Sequence, residues 1–167
     1  TLLRSITEGN GFDDDKIRLY KKVIDKLPEF QVRAGKGIDY KLCYQFDEFG
    51  CKNIDFDLEY FKERFLKAFF KSEIDPGQLD SDLLFIKDKI LEFPRDHFLY
   101  RDFQSRNIMI MNNEPYFIDF QSGRKGALLY DMASLLYDAK ADIPQPVREE
   151  LLDYYLSIIG NYTECDT

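Results

Sequence analysis

Residues 98–110 read FLYRDFQSRNIMI, a polar loop carrying Asp102 and Asn107 between two apolar, β-like runs. The run EPYFIDF (114–120) follows after Asn112 and Asn113, a pair suited to a tight turn, so residues 107–111 and 115–119 should fold back on each other as a hairpin. Such pairing brings Asn107 close to Asp119 although they stand twelve positions apart. An amide oxygen and a carboxylate converging on one point form a hard-oxygen site of the kind Mg²⁺ accepts when phosphate oxygens complete its shell. Asp102 stays beside them, free to act on a substrate hydroxyl. Asp and Asn also close turns by bonding their own backbone, which explains each residue singly. It does not explain an Asp-x-x-x-x-Asn loop followed one hairpin later by Ile-Asp-Phe at the end of an apolar run.

The sequence around this segment is helical in period. Ile17, Tyr20, Val23, Ile24, Leu27 and Phe30 recur at helical spacing behind Asp13 to Asp15, with Pro28 expected to kink or shorten the end. Residues 33–55 carry glycines and no sustained period, and read as loop with short extended pieces. Phe56 to Phe70 places Leu58, Phe61, Phe65, Leu66 and Phe69 on one face. A second helix starts near Asp80 with Leu83, Ile86, Ile90 and Leu91 inward, giving an antiparallel pair. After the β-rich middle the helical period returns at Tyr130 to Asp138, and again beyond Pro144 and Pro146 through Val147, Leu151, Leu152, Tyr155 and Ile158.

Composition narrows the function. The 167 residues, 44% hydrophobic and 16% aromatic, suit one domain with a sizeable core. A net charge of −8 argues against a nucleic-acid partner, which needs clustered Lys and Arg. It leaves a phosphate-bearing ligand open, because metal ions bridge carboxylates to phosphate. Cys43, Cys51 and Cys165 make no C-x-x-C pair and suit a reducing compartment, and a lone His97 makes a zinc site poor. No run approaches the roughly 18 apolar residues of a membrane span, and the N-terminus has no signal-type pattern. The expectation is a cytoplasmic protein without a membrane partner. The opening TLLRSITEGN lacks an initiator Met and is read as an internal point of a longer polypeptide.

The segments YRDFQSRN (100–107), FIDFQ (117–121) and YDMASLL (130–136) together resemble the signatures of kinase-like phosphotransferases. The similarity is to the aminoglycoside and choline phosphotransferase family, and within it to the bacterial anomeric kinases of N-acetylmuramate and N-acetylglucosamine. The helix DLEYFKERFLK (57–67) also resembles that subgroup, so the likeness covers most of residues 55–138. The resemblance implies an α+β fold: the C-terminal lobe of the protein-kinase-like fold, mainly helical with a small hairpin at the catalytic loop. It implies ATP and Mg²⁺ as cofactors and transfer of the γ-phosphoryl group to a hydroxyl of a small molecule, most readily an amino sugar.

Residue by residue, the resemblance makes Asp102 the catalytic aspartate, Asn107 and Asp119 the metal ligands, and Arg101 and Asp131 supports of the catalytic loop. Gln104 is a candidate phosphate contact, standing where relatives carry a positively charged donor or a histidine. Tyr100 replaces the usual histidine, which in relatives packs and hydrogen-bonds. These two departures motivate an alternative: a degenerate module that binds a sugar nucleotide or a partner protein. Asp55 and Asp57 are candidate acceptor contacts, with Asp57 alternatively an N-cap. Arg124 and Lys125 either meet phosphate or balance nearby acids, and His97 is read as structural. Residues before Asp102 contain no Gly-rich loop or lysine of an ATP-binding lobe. Residues 1–167 are thus expected to be the C-terminal lobe alone, with residues 1–10 just after the hinge and the N-terminal lobe of the same polypeptide as partner.

Overall fold

A computed structural model describes residues 1–2, 12–70 and 75–163. The expected position of residues 1–10 after a hinge, and Cys165, fall largely outside that range. Helix α1 (Asp14–Pro28) opens on Asp13, whose carboxylate accepts the Lys16 backbone N–H at 2.9 Å, with Asp14 and Asp15 in the first turn. Its apolar face buries Leu19, Tyr20, Val23, Ile24 and Leu27. Pro28 has no N–H to continue the ladder, and there the α pattern gives way to a π turn, Glu29–Arg33. That turn swings Gln31 into the interior.

Residues 47–49 pair alongside Lys125, and Gly50 caps α2 (Cys51–Phe61). This helix starts five residues before the expected Phe56 and continues through a π turn, Lys62–Leu66, to Phe69. Asp57 therefore lies within the helix and is not its N-cap. The expected apolar face is also only partly inward: Leu58 and Leu66 are half-buried, but Phe61, Phe65 and Phe69 are exposed, Phe65 stacking on Phe61 at 5.4 Å and lying tilted to Phe69 at 5.3 Å. A π turn breaks the 3.6-residue register the sequence pattern assumes. Helix α3 (Pro76–Leu91) begins at the Asp75-Pro76 pair rather than near Asp80, because Asp75 caps the Gly77 and Gln78 N–H groups and proline suits the first helical position. The pairs Asp55–Lys87 and Lys62–Asp80, each 2.6 Å, set α2 and α3 antiparallel. Ile86 is exposed, while Leu83, Ile90 and Leu91 are half-buried.

Two small antiparallel sheets carry the middle of the chain. Strand β1 (His97–Leu99) pairs with β4 (Arg124–Gly126), and β2 (Ile108–Met111) pairs with β3 (Glu114–Phe117). The hairpin turn is Asn112-Asn113 as expected, both with positive φ (52° and 62°), the geometry that matches strand twist in a two-residue loop. Strand β4 was not legible in the sequence. Its close approach to β1 needs Gly126, where a Cβ would meet Leu99 Cβ at 2.8 Å. Helices α4 (Leu128–Leu136) and α5 (Gln145–Thr163) follow.

The main core joins α1, α4 and α5 to Tyr100, Phe103 and Ile108; a smaller one gathers Phe49, Ile54 and Leu99. The 98–108 segment contributes to both, so the loop is packed from beneath. The architecture is mainly helical with two small sheets, an α+β arrangement. Among the described residues no helix is long and apolar enough to cross a membrane.

Candidate active site

The 100–107 loop leaves β1 and is held by three anchors. Asp131, in the first turn of α4, is fully buried and accepts the backbone N–H groups of Tyr100 and Arg101, each at 2.9 Å. Its carboxylate also accepts from Gln31 Nε2 at 3.1 Å, and Gln31 is itself fixed by the Leu128 carbonyl and the Tyr155 hydroxyl. Burial pushes the Asp131 carboxyl up to about 7, against the pull of the three N–H donors. The second anchor is Ser105, whose hydroxyl lies 3.0 Å from that of Tyr20 and whose N–H donates to Asp138 at 3.3 Å. The third is the Tyr100 hydroxyl, which donates to the Ile118 carbonyl at 2.8 Å. Burial and the nearby carboxylates of Asp119, Asp131 and Asp102 push this phenol up to about 12, so it keeps the proton it donates.

Asp131, Ser134 and Asp138 stand at i, i+3 and i+7, one face of a helix and its continuation. All three meet the loop, Ser134 through a long 3.4 Å bond to the Arg101 carbonyl. Below, Phe103 stacks on Phe117 at 5.6 Å, and Phe117 meets the edge of Phe30 at 4.9 Å. The backbone at Arg101 is left-handed (φ 75°), as it is at Asp119 (φ 71°). Such strain persists where surrounding bonds over-determine it.

The hairpin register pairs Ile108 with Phe117, and one step further the Ile118 N–H donates to the Asn107 carbonyl at 3.0 Å. Asp119 follows directly. Asn107 is buried, and its Nδ2 donates to the Asp102 carbonyl at 2.9 Å, which leaves Oδ1 as the atom able to ligate a cation. Asp102, Asn107 and Asp119 are thus gathered at one rim of the hairpin. Asp119 is exposed and receives a hydrogen bond from Gln121 Nε2. The donor set, one amide oxygen and one carboxylate, fits Mg²⁺ bound jointly with phosphate. Among the described residues no group of three His, Cys, Asp or Glu side chains could hold a metal on its own. Gln104 is half-buried in the loop, and its carbonyl accepts the Asn107 N–H at 2.8 Å.

The two acidic candidates on α2 separate. Asp57 is half-buried with its carboxylate 3.8 Å from Arg101 Nη2; burial raises its carboxyl and Asp102 adds to this, while Arg101 and Arg124 oppose. Asp55, two positions earlier and hence about 200° around the helix, points away. It pairs with Lys87 and lines a cleft of ≈ 310 Å³ between α2 and α3, so the structure does not bring it to the loop. Arg124 is almost wholly buried rather than a surface phosphate contact, and Lys125 lies over the Tyr40 ring at 5.2 Å. His97 sits in β1 beside Asp96 at 2.9 Å, a structural place. Sequence reading missed Gln31, Ser105, Asp138 and Asn53. Only Asp138 left a signal, its spacing from Asp131.

A model of the APH phosphotransferase enzyme family matches residues 55–166, about two thirds of the chain. Residues of the chain are also 37% identical, over 65 positions, to the N-acetylmuramate/N-acetylglucosamine kinase of Pseudomonas aeruginosa. That match covers 39% of this chain and 19% of the length of that kinase.

Proposed function

Because the chain belongs to the APH phosphotransferase enzyme family, we propose that it is the C-terminal, metal- and acceptor-binding lobe of a kinase-like enzyme. The whole enzyme moves the γ-phosphoryl group of ATP to a hydroxyl of a small molecule, an amino sugar being the class the partial relative suggests. One observation supports the reading: Asn107 is bonded to both the Asp102 carbonyl and the backbone beside Asp119, which brings the three side chains to one rim, where this reading needs a base and two cation-ligating oxygens. In this reading Asp102 orients the acceptor hydroxyl and takes its proton. Asn107 and Asp119 would hold Mg²⁺, which would supply charge neutralisation for the phosphate, and Arg101 and Asp131 hold the loop. Gln104 offers the phosphate a neutral donor. The setting is cytoplasmic, with Cys43 and Cys51 free. Residues 1–167 alone are expected to be inactive without an N-terminal lobe completing the ATP site.

The test is Mg²⁺-dependent ATP consumption by the full-length polypeptide across a panel of amino sugars. Turnover that disappears in Asp102→Ala, with nucleotide affinity kept, supports the reading; unchanged turnover in that variant sinks it. The neutral Gln104 favours a second reading, a non-catalytic module. Ligand binding with no ATP consumption for any acceptor would select it.

A further inference from the structure

Among the described residues Arg124 is the largest fully buried side chain, and its hydrogen bonds go to neutral groups. Its Nε donates to the Ser122 carbonyl at 3.0 Å. Its Nη1 donates to the Asn53 side-chain oxygen at 3.0 Å, with the Asn53 amide turned so that its nitrogen donates to the Glu48 carbonyl at 2.8 Å. The guanidinium carbon lies 5.9 Å from the Phe46 ring centre, and Nη2 is buried with no hydrogen-bond partner among the described residues. Burying a cation this incompletely satisfied is costly, and an apolar side chain of similar volume would fill the space more favourably.

The surroundings supply a reason. Asn53 and Asp57 stand one turn apart on α2, on the face turned to β4 and the loop. The ionic groups acting on Arg124 from nearby are Arg101 and Asp57, with the neutral Cys43 thiol and Tyr130 phenol also close. Asp57 in turn lies 3.8 Å from Arg101, and the charges of Arg124 and Asp102 act on it from further off. Arg124 therefore ties α2 to β4 through Asn53 and sets a second positive charge, besides Arg101, against a carboxylate that neighbours the loop aspartate.

We propose that Arg124 is a positioning residue for the acceptor: through Asn53 and Asp57 it fixes α2 against the 100–107 loop, so that the Asp57 carboxylate is presented beside Asp102 to a hydroxyl or amine of the acceptor. This rests on the phosphotransferase reading above. Arg124 itself is too buried to touch substrate, so its influence passes through α2 alone.

The experiment measures KM for acceptor and for ATP, and kcat, in the full-length enzyme carrying Arg124→Met, Arg124→Lys, Asp57→Asn or both Arg124→Met and Asp57→Asn. Arg124→Met should raise the acceptor KM about tenfold with the ATP KM within about twofold, and Arg124→Lys should restore part of the loss. The double variant should be no worse than Asp57→Asn alone, because Arg124 acts on the acceptor only by placing Asp57. Equal effects on both KM values, or additive losses, overturn the proposal. Amide exchange over residues 51–61 gives a readout independent of turnover. It should accelerate in both Arg124 variants while residues 108–117 keep their protection. If the wild type consumes no ATP with any acceptor, the functional reading fails on its own, and unchanged exchange at 51–61 would then refute the tether as well.

Discussion

Asp131 Oδ1 lies 2.9 Å from the backbone nitrogen of Arg101, and the residue it holds has a left-handed backbone, φ 75°. A side chain from α4 thus stabilises a conformation that a non-glycine residue avoids by itself. The loop's shape is imposed from the helix that follows it, and its stability should depend on the charge state of that carboxylate.

The pH dependence follows with a definite sign. Burial raises the Asp131 carboxyl from 3.8 to about 7, so the folded state holds a proton there that the unfolded chain releases. The contribution is full below about pH 4 and is lost as pH rises through about 7. Urea unfolding from pH 4 to 8 should show this decline, and Asp131→Asn should flatten it. An identical profile in the variant would contradict the linkage.

Tyr100→Phe removes the hydroxyl that joins the loop to the Ile118 carbonyl and leaves the ring packing intact. The expected loss is about 1 kcal/mol of stability, with weaker Mg-nucleotide binding in the full-length protein, because Ile118 directly precedes Asp119. A melting temperature and nucleotide affinity equal to wild type would show that this hydrogen bond is idle.

Backbone and chemistry can be separated at Asp119. Both Asp119→Gly and Asp119→Ala remove the carboxylate, so both should lose Mg²⁺-dependent nucleotide binding. Only glycine is free of strain at φ 71°, so the alanine variant should be less stable by about 1–2 kcal/mol. Equal stabilities of the two variants would indicate a relaxed backbone there.

The hairpin turn allows a test remote from the site. Asn113→Gly, at φ 62°, should be neutral or slightly stabilising, and Asn113→Val should cost about 1–2 kcal/mol. Chemical unfolding of the two variants side by side reads the difference directly.

The loop, the hairpin with its turn, α1 with its acidic start, and α4 and α5 were all legible because each is written in local chemistry: turn residues, caps and a repeating apolar period. The proximity of Asp102, Asn107 and Asp119 was legible for the same reason, as it needs only one short hairpin. The early start of α2 was hidden because Gly50 gives no capping side chain, and π turns at Glu29–Arg33 and Lys62–Leu66 shifted faces that a regular period could not anticipate. Asp55 and Asp57 looked equivalent in the chain, yet a helix sends them to opposite sides, one to Lys87 and one to Arg101.

By itself, the sequence determined which polar residues the short segments bring together, because period, turn and motif act over a few positions. The tertiary structure alone decided what holds them: Gln31 reaching Asp131 across 100 positions, Tyr20 reaching Ser105 across 85, and Arg124 buried against Asn53. Those contacts depend on how separate elements pack. Nothing in the local spacing of an isolated Gln, Tyr or Arg encodes the partner that desolvation in a shared core forces upon it.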